Sequence, residues 1–488
     1  MNYKRKPFPF LLRILPAIIA LSAVAPVAPA LAAPATSSIE RGDAAFLLAR
    51  DAFRNGERVR LGRQLASLQE HPLQPWAEYW SLRLRLDDRD ASGVPDYLNR
   101  HAGSYLAEKL RGDWLRELGK AGDRDGFQRE LPALVQPDAE IRCYTGQFSD
   151  TDDMVRPLWN SSQDLPRACE RLVDQLVASG GLAVEEVWQR VRRLFEAKRV
   201  GAARNAAAYL PTAEGFDGRG LEAIVQEPAR YLDKLPAGYA AKRGGREKAL
   251  FAVQRLARAE PQDAAKRFAA IEARFTEEER AYAWGQIAWQ AAQRHLPEAV
   301  AWYQKAAATS LSEEQMAWQV RAALRTGDWN AVQQAIAAMP PAVATQADWT
   351  YWQARALAAA GRAEEARALY QKIGGQPNFY GNLADEELGR VVEVPPRAAS
   401  PTAEELAAAA THPGFQRALA LIRVDMRIEG VREWVWSLRG MDDRALLAAA
   451  RFAQNNEIWD RAINTADRTL AQHDYLSLIH ISEPTRPY

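Results

Sequence analysis

Trp284, Trp318 and Trp352 stand 34 residues apart, and Ala288, Ala322 and Ala356 each follow their tryptophan by four residues. Positions four apart share one face of a helix, so a bulky ring and a small residue recur together at a fixed period. A period of this length is that of a helix-turn-helix unit. Neither helix of such a unit buries its apolar face alone, so successive hairpins must stack, and the product is a curved array. The pattern predicts first helices over 282–293, 316–326 and 351–360. Turns are expected at Leu296-Pro297, Gly327-Asp328 and Gly361-Arg362. Second helices then carry Ala299 and Tyr303, Ala331 and Ala335, and Ala366 and Tyr370. Rings recurring at the repeat period are read as packing between hairpins, with ligand stacking as the less economical alternative.

The rest of the chain agrees with an all-α class. From Ile39 to Ile373 nearly every segment is rich in Ala, Leu, Arg and Glu with apolar residues three and four apart. Only Val391-Val392-Glu393-Val394 alternates like a strand. Trp80 and Trp114 are also 34 apart and resemble a degenerate copy of the repeat. A single hydrophobic core stops growing near roughly 250–300 residues, so a chain of 488 needs several domains or a solenoid that adds core by repetition. The proline-rich run from Pro395 to Pro401 marks a boundary, and Thr402-Ala403-Glu404-Glu405 reads as a fresh helix start. Further helices follow, carrying Phe415, Trp434, Leu446 and Trp459. Trp434 and Trp436, two apart, cannot point the same way on a helix; one of them is expected at a domain interface.

The N-terminus reads as an address. Lys4-Arg5-Lys6, an apolar stretch from Ile14 to Ala25 and the small-residue end Ala30-Leu31-Ala32 form a secretory signal with cleavage after Ala32. Pro16, Pro26 and Pro29 interrupt the segment, which argues against a membrane span of about 20 residues. No membrane span is expected once the signal is removed, and the mature chain is expected in a periplasm. Export favours one bridge between Cys143 and Cys169 over two buried thiols, because they are the only cysteines and the compartment is oxidising. The six histidines are scattered without ligand spacing, so no metal and no cofactor is assigned. Net charge is +1, and four basic residues lie in the signal; the slightly acidic remainder argues against a nucleic-acid partner.

The order of signal, cysteine pair, superhelical repeats, the run from Asn378 to Gly389 and a short helical module ending Ala466-Asp467-Arg468-Thr469 resembles the large soluble lytic murein transglycosylases. The likeness covers residues 39 to 475, and its most specific parts are Tyr380-Gly381-x-Leu383-Ala384, the run from Leu106 to Leu115 and the Cys143/Cys169 pair. It implies a right-handed superhelical, TPR-like solenoid forming a ring or U over residues 33–394, with a helical linker domain over 402–475. It also implies peptidoglycan glycan strands as partner. In that family one Glu protonates the bond between N-acetylmuramic acid and N-acetylglucosamine, and the muramyl C6 hydroxyl closes on its own anomeric carbon. The family's Glu-Ser pair followed by Gly-Leu-Met-Gln occurs nowhere in this sequence, so no catalytic residue is assigned and the catalytic domain is expected to be absent. Glu433 and Glu457 are read as solvated helix carboxylates. Residues 476–488 break the composition abruptly and are expected to be a non-native tail, with a genuine disordered tail as the alternative. The competing function is a non-enzymatic periplasmic scaffold that binds proteins or peptides on its concave face.

Overall fold

The computed structural model describes residues 38–151, 153–306, 311–392 and 396–472. The signal over 1–32 and the tail over 476–488 lie outside the described residues. Among the described residues the chain is helical throughout, with no strand and no helix long and apolar enough to cross a membrane. Val391 and Val392 have no regular structure, and Glu393 and Val394 lie outside the described set.

The 34-residue period is realised as three helical hairpins. They pair Glu277–Gln293 with Ala299–Lys305, Glu313–Thr326 with Trp329–Ala337, and Ala347–Ala359 with Ala363–Ile373. Local chemistry sets their ends. Thr276 and Ser312 cap the first two hairpins in capping boxes with Glu279 and Gln315, each satisfying orphan N–H groups at a helix start. Gly327 ends its helix at φ +69°, a left-handed conformation that glycine adopts without a Cβ clash, and Asp328 starts the next helix by accepting from Ala331 N–H. Ala288, Ala322 and Ala356 are buried at helix contacts, where a methyl lets two backbones approach. Trp284 is buried between Phe268 and Trp302, whereas Trp318 and Trp352 are half-buried in the clusters that join neighbouring hairpins.

Earlier hairpins extend the same plan. Val184–Glu196 pairs with Val200–Ala207 and Arg243–Ala257 with Pro261–Ile271, and one apolar cluster runs from Cys143 to Ala306 through them. Cys143 on Ala139–Ser149 is joined to Cys169 by a disulfide, and both are fully buried. At the far end Thr402 caps Ala403–Thr411 in a capping box with Glu405, and Pro413–Arg423, Arg427–Ser437, Asp443–Asn455 and Trp459–Ala466 follow.

These last helices return to the first ones. Ala420, Leu421, Val424 and Met426 belong to the same apolar cluster as Phe46, Leu61, Trp76 and Leu98, so the core is continuous across more than 300 residues of sequence. The superhelix therefore closes into a ring.

Candidate functional site

The closure brings together side chains that no local pattern connects. Glu433, on Arg427–Ser437, accepts from the Trp76 indole N–H at 2.9 Å and from Arg417 Nε and Nη2, each at 3.2 Å. It has no solvent exposure, which corrects the expectation of a solvated carboxylate. Helix carboxylates are as a rule solvated, but the indole that covers Glu433 comes from the opposite end of the chain, where no local pattern reveals it. Burial pushes its carboxyl up in pKa, against the pull of Arg417. Glu457 is exposed and lies on a turn at φ +59°.

A second link lies beside the first. Arg423 Nε and Nη2 donate to Asp43 at 2.6 and 2.8 Å, and His71 Nε2 lies 3.2 Å from the same carboxylate. His71 Nδ1 accepts from Leu73 N–H, which places the ring proton on Nε2 facing Asp43. Burial lowers the His71 pKa, with Asp43 opposing, so the neutral ring is favoured.

The two tryptophans diverge as their spacing requires. Trp434 is fully buried, stacks near Phe415 and donates to Thr465 Oγ1 at 2.9 Å. Trp436 is half-buried and donates to Gly103 O at 2.9 Å, across the closure. Between these helices and Tyr105–Ala121 opens a cleft of about 640 Å³, walled by Arg100, His101, Arg111, Arg417, Trp436 and Arg439. Arg439 lies 4.0 Å over the Trp436 ring. Arg100 pairs with Glu78, Arg111 with Glu130 and Arg417 with Glu433. The cleft thus offers guanidinium N–H groups and an indole edge whose charge is compensated from behind. It can hold a hydrogen-bonding ligand; the acid in its lining is Glu108, whose carboxylate accepts from the Val135 and Gln136 N–H groups, whereas Glu433 is sealed behind Trp76 and Arg417.

The family run lies on Phe379–Glu387, against the last repeat hairpin. Tyr380 packs 5.8 Å from Tyr351, Leu383 joins the same cluster and Ala384 is buried within it. Gly381 N–H donates to Asn378 Oδ1, and a Cβ at Gly381 would sit 2.2 Å from Gln376 O, so the backbone approach admits no side chain there. These residues do not meet the closure cleft. The repeat residues Trp284, Trp318, Trp352, Ala288, Ala322 and Ala356, and the Cys143–Cys169 bridge, likewise serve packing between hairpins. Among the described residues no group of three His, Cys, Asp or Glu is placed to hold a metal ion.

Comparison with known proteins gives a consistent result. The family model of the soluble lytic murein transglycosylase L domain matches residues 408–476. The soluble lytic murein transglycosylase of Escherichia coli (strain K12) is 23% identical over 466 residues, covering 92% of this chain and 70% of that protein. Among solved structures, an inactive mutant of lytic transglycosylase Slt from Pseudomonas aeruginosa aligns with TM-score 0.63 at 25% identity, covering 90% of this chain and 72% of the other. A complex of the 70-kDa soluble lytic transglycosylase with bulgecin A aligns at 0.54 and 22% identity, covering 88% and 71%. In sequence along most of its length, in its C-terminal helices and in the course of its superhelix, this chain is similar to the soluble lytic murein transglycosylases.

Proposed function

We propose that the chain is the wall-holding helical region of a periplasmic peptidoglycan lytic transglycosylase, exported through a cleaved signal at residues 1–32. The ring over residues 33–394 and the linker helices over 402–475 would bind glycan strands and present them to the group that cleaves the MurNAc–GlcNAc bond. Within residues 33–475 this reading assigns no catalytic acid. The observation that carries it is the closed superhelix, whose two ends meet through Trp76, Arg417 and Glu433, in a chain related to murein-cleaving enzymes. A cleft edged by guanidinium groups and an indole presents the hydrogen-bonding groups that a hydroxyl-rich polymer needs.

The test is direct. The purified chain should co-sediment with insoluble sacculi and leave a cell-wall zymogram unmarked. Clearing of the zymogram would overturn the non-catalytic assignment. Failure to co-sediment, with a defined periplasmic protein captured instead, would favour the scaffold reading.

A further inference from the structure

A second cavity, of about 560 Å³, lies away from the closure, where three first helices of hairpins converge: Val184–Glu196, Glu277–Gln293 and Glu313–Thr326. Glu196 hydrogen-bonds Tyr282 and Gln286, 86 and 90 residues later, so the cavity lies where the array brings hairpins distant in sequence together. Its size falls within the roughly 300–1,000 Å³ of small-molecule sites.

The lining is unusual for a surface between packed helices. Glu196 Oε1 accepts from Tyr282 O–H and from Gln286 Nε2, both at 2.8 Å, so its direct side-chain donors are a phenol and an amide. Burial pushes its carboxyl up, against the opposing pull of the Tyr282 hydrogen bond and of Arg192, Arg193 and Arg258. Arg193 Nε is buried in the cavity wall without a hydrogen-bond partner. Arg192 is neutralised by Glu247 through bonds of 2.7 and 2.9 Å and stacks 4.6 Å over the Tyr282 ring. Gln189 adds a further carboxamide, while Gly285 and Leu311 supply an apolar flank.

The lining thus combines carboxamide and phenol groups with the Arg193 guanidinium, the Glu196 carboxyl, the exposed Glu278 and a small apolar wall, a hydrogen-bonding set in which both signs of charge are present. We propose that this cavity is a binding subsite for an N-acetylhexosamine unit of a glycan, with the acetamido carbonyl on Arg193, sugar hydroxyls on Glu196, Gln286 and Gln189, and the acetyl methyl against Leu311. The proposal rests on the wall-holding function above and names the part of the ring that meets sugar.

The experiment uses the full chain and chitotetraose, a soluble β-1,4-linked N-acetylglucosamine oligomer, with binding read by calorimetry and the protected segments by hydrogen exchange. Saturable binding is expected, with protection over the ends of Val184–Glu196 and Glu277–Gln293. Glu196→Ala and Gln286→Ala should each weaken it roughly ten-fold, whereas Glu196→Gln, which keeps a neutral hydrogen-bonding group, should restore most of it. Gln189→Ala, at an exposed rim position, keeps the test open should a buried variant fail to fold; it should weaken binding several-fold. Unchanged affinity in these variants, or protection confined to the closure cleft, would overturn the site. Sacculus binding without chitotetraose binding would refute this subsite and leave the wall-holding function standing. Chitotetraose binding without sacculus binding would do the reverse.

Discussion

Arg417→Met isolates the energetics of ring closure. Glu433 is fully buried and receives three hydrogen bonds, two of them charge-assisted from Arg417 and one from Trp76. Removing the cation leaves a buried carboxylate with one neutral donor, and breaking a buried ion pair in this way costs about 3–5 kcal/mol. The raised pKa of Glu433 fixes how that loss depends on pH. A carboxyl whose folded pKa lies above its unfolded value of about 4.3 contributes stability that is complete below the unfolded value and is lost as pH rises through the folded one. Methionine at 417 removes the opposing pull and raises the folded pKa further, so the penalty should be large at pH 7.5 and much smaller near pH 4.5, where Glu433 is neutral. Glu433→Gln leaves the buried Arg417 guanidinium without its counter-charge but removes the titrating group, so its penalty, unlike that of Arg417→Met, should not grow between pH 4.5 and pH 7.5. The assays are urea denaturation at both pH values, hydrogen exchange over Gln74–Asp87 and Arg427–Ser437, and small-angle scattering for opening of the ring. Equal destabilisation by Arg417→Met at the two pH values, or a Glu433→Gln penalty that grows with pH as that of Arg417→Met does, would refute the reasoning.

Replacing Cys143 and Cys169 by serine should cost about 3.5 kcal/mol, from the loop entropy of a 26-residue separation, measured by denaturant unfolding under oxidising conditions; a loss below about 1 kcal/mol would mean that the surrounding core already fixes the loop. Ala288→Leu or Ala356→Leu puts extra methylenes where side chains have no exposure and should destabilise by about 1–3 kcal/mol, seen as a lower Tm; an unchanged Tm would deny the close helix approach. Burial alone would raise the Glu279 pKa, but the Arg246 bonds at 2.8 and 3.0 Å and the Thr276 N–H prevail and lower it. Its contribution is therefore present above the unfolded value of about 4.3 and lost as pH falls through the folded value. Glu279→Gln should flatten the decline of Tm with acid below about pH 5, and an identical acid slope in both proteins would exclude this pair as a source.

The parts of the fold that could be read beforehand are those that local chemistry decides. A hairpin of this array is specified within 34 residues: the ring, the small residue, the glycine or aspartate of the turn and the cap all lie inside one repeat. The Thr402/Glu405 capping box and the divergence of Trp434 from Trp436 were legible for the same reason, since each follows from helical spacing alone. The closure is different in kind. Trp76 and Glu433 are 357 residues apart, and whether they meet depends on the summed rotation of every hairpin between them. A small change in crossing angle per repeat accumulates over the whole array, and no window of sequence carries that sum.

The same accumulation explains why the two functional readings place demands on different residues. Nearest-neighbour packing fixes each hairpin strongly, so the repeat core tolerates little change in volume and contributes stability regardless of what the ring binds. Curvature, by contrast, is what carries Glu196 to Tyr282 and Trp76 to Glu433, and both contacts end on a buried carboxyl whose burial opposes ionisation. A buried carboxyl that must find its partners tolerates few positions, so each such contact penalises a superhelix that is wound too loosely or too tightly. If that is how the curvature is held, Glu196→Ala should alter the ring's dimensions in scattering as well as its sugar affinity, whereas Gln189→Ala should change affinity alone. Identical scattering from the two variants would separate the cavity from the geometry of the ring.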